Sequence, residues 1–83
     1  MNLIPLYRFL DRNSAPPHSK IVMATLLKCT GTCKIDREAF LADRDMQALA
    51  ELGLITWEAR NLVVTEKAYR LAEMDPATVV QFN

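Results

Sequence analysis

Apolar residues recur at helical spacing over most of the chain, and one short stretch breaks into β-branched runs. Near the start, Leu3, Leu6, Tyr7 and Leu10 share one side of a helix predicted over residues 3–12, with Arg8, Asp11 and Arg12 turned away from it. Pro5 is tolerated in the first turn if Asn2 caps the helix, because first-turn N–H groups have no partner within it. SAPPHS then breaks the pattern: Pro16 and Pro17 demand extended or turn geometry, and Ser14 or Ser19 is placed to cap the next helix. From about residue 18 the run KIVMATLLKC is apolar nearly all round, which predicts a central, buried helix. Gly31 is positioned to end it in the left-handed conformation.

Thr32-Cys33-Lys34 is long enough for a minor strand that could join a later hairpin. Two short helices come next. Asp36 caps the first, over 36–42, with Ile35 and Phe40 spaced as a hydrophobic staple. Asp43 caps the second, over 44–52, which Gly53 stops. In that second helix Met46, Leu49 and Ala50 face inward, leaving Asp45, Gln47, Ala48 and Glu51 more exposed. LITW and NLVV read as the two strands of a hairpin around Glu58-Ala59-Arg60, with Asn61 able to take positive φ. Thr65 caps a last helix running to Met74, stapled by Val64 and Tyr69 and ended by Asp75-Pro76. The predicted architecture is mainly α with a small β-hairpin: one domain over residues 1–83, with 75–83 as a C-terminal tail. That tail carries Val79, Val80 and Phe82, which predict packing or docking.

Composition narrows the class. An 83-residue chain is one small domain, and 51% apolar residues supply a core rather than a disordered segment. No run approaches the roughly 18 apolar residues of a membrane span, and no signal-peptide pattern opens the chain, so the expectation is a cytoplasmic protein without membrane contact. Cys29 and Cys33 sit in CTGTC with three residues between them, and His18 is the single histidine. A zinc site needs about four ligands, and redox pairs use a two-residue spacer, so two reduced thiols and no cofactor or metal are expected. No Gly-rich phosphate loop and no histidine paired with a nucleophile point to catalysis; His18, after two prolines, reads as a loop residue.

Charge is balanced overall but unevenly spread. Residues 1–34 carry Arg8, Arg12, Lys20, Lys28 and Lys34 against Asp11, a net +4. Residues 35–52 carry Arg37 and Arg44 against Asp36, Glu38, Asp43, Asp45 and Glu51, a net −3. The remainder carries −1.

The passage LAELGLITWEARNLVVTEKAYRLAEM resembles the helix–wing–helix part of winged helix-turn-helix regulators of the MarR and PadR kind. The resemblance spans residues 44–74. Leu49, Leu52, Gly53, Leu54 and Ile55 match one signature, and Thr65, Glu66, Lys67 and Leu71 the other. Ala68 stands where those families usually carry glycine. The resemblance implies a winged-helix fold in which residues 44–52 form the segment that would enter a DNA groove. That segment is acidic, whereas base and phosphate contacts come chiefly from Arg, Lys, Asn, Gln, Ser and Thr.

Two functions from different classes are open. The first is protein–protein recognition through Asp43, Asp45, Gln47, Glu51 and Trp57, against a larger protein or complex with a basic surface. In size and style the chain is similar to small phage- or plasmid-encoded regulators and anti-defence inhibitors, anti-CRISPR proteins among them. The second is a dimeric, sequence-specific transcriptional regulator contacting duplex DNA through Arg8, Arg12, Lys20, Arg44, Gln47 and Arg60. The blander alternatives are a solvated acidic face and a Trp57 buried between strands.

Overall fold

The computed structural model describes residues 2–28, 32–58 and 61–73. Among them the order is α1 (Ile4–Arg12), α2 (Ser19–Lys28), β1 (Thr32–Cys33), α3 (Arg37–Ala42), α4 (Arg44–Glu51), β2 (Ile55–Glu58), β3 (Asn61–Val64) and α5 (Glu66–Leu71). The chain is mainly helical with an antiparallel hairpin, a layout compatible with that of a winged helix. The strand foreseen at Thr32 is present: β1 pairs with β3 at Thr32–Val63 and Cys33–Leu62, so the sheet runs β1-β3-β2, antiparallel throughout. The expected end of α2 at Gly31, the wing-tip residues Ala59 and Arg60, and the tail from Met74 onward lie outside the described residues.

Local chemistry sets most element ends. Asp36 accepts the Glu38 N–H at 3.2 Å and opens α3, while Ile35 lies half-buried and Phe40 buried in the core. Thr65 Oγ1 accepts the Ala68 N–H at 3.4 Å and opens α5, with Val64 and Tyr69 both buried beside it. Leu3, not the expected Asn2, is the N-cap of α1 and makes no side-chain cap bond. Asn2 Oδ1 accepts the Ile4 N–H at 3.1 Å, and Pro5 sits in the first turn, where an N–H has no helical partner. Helix α4 closes in a Schellman motif: Leu54 N–H reaches back to Leu49 C=O at 2.9 Å and Gly53 N–H to Ala50 C=O at 3.0 Å. Gly53 there takes φ +76°, which an L side chain adopts only under strain.

Four further expectations are corrected. Helix α2 is not buried all round: Met23, Leu26 and Leu27 enter the core, but Ile21 is 61% exposed, because the helix covers only one side of a thin domain. Neither serine caps α2. Ser14 lies in the preceding turn at φ 54°, and the buried Ser19 hydroxyl donates to Pro16 C=O rather than accepting a helix N–H. Asn61 is not at positive φ; it pairs with Glu58 inside the sheet. Helix α5 stops at Leu71, before Met74, because Glu73 turns left-handed at φ 53° and the Asn2 N–H takes Ala72 C=O at 3.0 Å.

The core gathers Leu6 and Leu10 of α1, Met23, Leu26 and Leu27 of α2, Phe40 of α3, Met46 and Leu49 of α4, and Leu54, Ile55, Leu62 and Val64 around the hairpin. Ala68 and Tyr69 of α5, with Ala72 at its C-cap, close it. Burial pushes the Tyr69 phenol above its ordinary pKa of 10.0 by disfavouring the phenolate. The unfolded chain therefore releases this proton first. Stability from the neutral phenol is fully present below about pH 10 and is lost as pH rises through the elevated native value. Denaturant melts taken between about pH 8 and 11 should show that alkaline loss, and Tyr69→Phe should reduce it.

Candidate functional site

The surface that the winged-helix resemblance singles out is the corner between α3 and α4. Asp43 makes that corner. It ends α3 and caps α4, its Oδ1 accepting the N–H groups of Asp45 at 2.9 Å and Met46 at 3.1 Å. Two of the free donors at the start of α4 are thus filled by the chain's own carboxylate. Gln47 reaches back across the corner, its Nε2 donating to Phe40 C=O at 3.3 Å and tying α4 to the end of α3.

Asp45 is drawn sideways rather than outward. Its Oδ2 lies 3.1 Å from His18 Nδ1, just before α2, and the Asp45 side chain is only 19% exposed. The two residues are 27 positions apart, and no motif in the sequence signals the contact. Trp57 is half-buried, packed edge-on against Phe40 with ring centroids 5.3 Å apart and planes at 79°. It serves the junction between the hairpin and α3, neither fully buried between the strands nor fully exposed.

Of the five residues assigned to protein binding, then, Asp43, Asp45 and Gln47 hold the corner together and Trp57 supports it. Glu51 is the exposed member. Along α4 the outer strip reads Arg44, Gln47, Ala48 and Glu51, one turn at a time. Fewer carboxylates face outward than the sequence count suggests, because those of Asp36 and Asp43 turn to helix N–H groups and Asp45 turns to His18, each keeping its charge. Sequence reasoning missed Leu41, which stands 58% exposed on α3 beside this corner.

The residues assigned to nucleic acid come from several elements, α1, α2 and α4 among the described residues. Arg8 and Arg12 are exposed on α1, Arg44 is exposed on α4, and Arg60 lies outside the described residues. Lys20 pairs with Asp11 at 2.7 Å and lies 5.9 Å from the Tyr7 ring centre. No family model, curated protein or solved structure matches this chain. No helix among the described residues is long and apolar enough to cross a membrane.

The residues that carry the winged-helix resemblance do meet in space. Thr65 Oγ1 donates to Gly53 C=O at 2.6 Å, and Thr65 N–H donates to Leu54 C=O at 3.0 Å. Lys67 Nζ donates to Leu52 C=O at 2.8 Å and sits 4.7 Å from the Phe9 ring centre. The start of α5 thus takes up the carbonyls exposed where α4 ends. These residues fix how α4, the hairpin and α5 join.

Proposed function

We propose that this chain is a winged helix-turn-helix module that works by binding another protein, as a small regulator or inhibitor and not as a catalyst. The element order from α2 to β3 supports the winged-helix reading. The observation that carries the functional reading is the capped start of α4: the anionic Asp43 carboxylate occupies two of the backbone donors that would otherwise attract a phosphate. A duplex laid against α4 would meet Asp43, Asp45 and Glu51, with Arg44 as the cation of that helix. A protein partner would instead cover Leu41 and offer cations to Glu38 and Glu51, all three of which are exposed.

Asp43 and Asp45 are poor probes of this surface, since changing either disturbs the corner itself. Leu41→Ser and Glu51→Lys act on exposed side chains and leave the caps intact. In affinity capture read by mass spectrometry, the wild-type chain should retain a discrete partner that both variants retain at least about fivefold less well. In a parallel duplex titration at about 50 mM salt, no complex should form. The two readings diverge in sign, because Glu51→Lys weakens protein capture but would strengthen DNA binding. A salt-sensitive duplex complex that Glu51→Lys tightens would overturn the proposal in favour of a DNA-binding regulator.

A further inference from the structure

Helix α1 carries a surface of a different kind, on different neighbours. It packs on α2 and α5, whereas α4 packs on α2, α3 and β2. Ile4, Arg8 and Arg12 recur every fourth residue, so they form a slightly inclined line along the helix, about 6 Å per step and about 12 Å overall. All three are exposed, opposite the buried Leu6 and Leu10. The nearest acid on the same helix is engaged elsewhere, since Asp11 pairs with Lys20. Among the described residues no ion pair engages either guanidinium.

Two unpaired guanidiniums one turn apart match a pair of carboxylates spaced i, i+4 on a facing helix, each able to bind in the two-pronged mode that arginine favours. At the end of the line Ile4 offers an aliphatic contact. A phosphate backbone would satisfy the arginines but leave the exposed Ile4 against a charged chain. We propose that this strip docks an acidic amphipathic helix of another protein, with carboxylates on Arg8 and Arg12 and an aliphatic side chain over Ile4. The proposal stands apart from the α3–α4 reading, and the chain would then present two recognition faces.

The test uses the full chain and three fluorescent probes: a helical peptide of about 18 residues with glutamates at i, i+4 and leucine on the same face, the same peptide with glutamine for glutamate, and a short duplex DNA. The glutamate peptide should bind, with amide shifts mapping to α1. Arg8→Glu combined with Arg12→Glu should weaken it at least about tenfold, and Ile4→Ser about threefold to tenfold. Glu51→Lys should leave it unchanged, which separates this surface from the α3–α4 corner. Because the altered positions are exposed, thermal midpoints should stay close to wild type. Absence of binding by the glutamate peptide, equal binding of the glutamine peptide, indifference to the double charge reversal, or tighter binding of the duplex through the same arginines would each overturn the proposal.

Discussion

Replacing Leu49 with alanine should destabilise the domain by about 3 kcal/mol. Leu49 is fully buried in α4, next to Leu54 across the Schellman turn, and the core it serves is drawn from every helix. Truncation removes the transfer energy of the lost carbons and leaves a void that a thin domain with few core layers can close only by moving α4. For a chain of this size total stability is on the order of 4–12 kcal/mol, so the loss takes a large fraction of it. The thermal midpoint should fall by roughly 12 °C or more. Leu41→Ala provides the contrast. It removes the same atoms from a residue 58% exposed on α3, and its midpoint should move by no more than about 2 °C. Calorimetry of the two variants side by side checks both. Equal effects would mean that the α3–α4 corner is not seated on the core.

Elements whose ends are set by neighbouring residues were legible in the sequence. Asp36, Asp43 and Thr65 are each followed within three residues by the N–H they cap, and Gly53 supplies the one glycine turn that α4 needs. Their signals are local because capping is local. The minor strand at Thr32 was legible for a similar reason, as a short run placed to complete a hairpin sheet. The early stop of α5 was not, because Glu73 carries no marker of a left-handed turn and the Asn2 donor comes from the other end of the chain.

The candidate site was less legible than the fold, and for a definite reason. Counting carboxylates along residues 35–52 gives their sum but not their direction. Asp43 points into a helix end, Asp45 crosses to His18, and Gln47 turns back to Phe40, so the strip that faces outward on α4 is smaller than the count suggests. Contacts across 27 positions cannot be inferred from spacing in one sequence. The family signatures misdirect in the same way. Leu52, Gly53, Thr65 and Lys67 form a mutual set of backbone contacts, so a resemblance resting on them speaks to how the hairpin is mounted and says little about what the mounted surface binds.

The second large effect is expected at Asp43. Asp43→Ala removes both acceptor contacts at the start of α4 and exposes two donors at a half-buried corner, which should cost about 1–2 kcal/mol. Loosening that turn also frees Asp45 from its register with His18, so amide exchange should rise at Asp45 and Met46 before it rises in the rest of α4. Asp43→Asn keeps an oxygen acceptor and removes the charge, leaving only the loss of a favourable helix-end interaction of about 0.3–1 kcal/mol. Comparing the two in denaturant melts separates capping from charge. The asparagine variant also tests function, because it leaves the corner capped while removing the anion that repels phosphate. If α4 is a protein-binding surface, duplex affinity should remain undetectable in Asp43→Asn at about 50 mM salt. Should the neutral cap instead confer salt-sensitive duplex binding, the surface would be a DNA reader held in check by a single carboxylate.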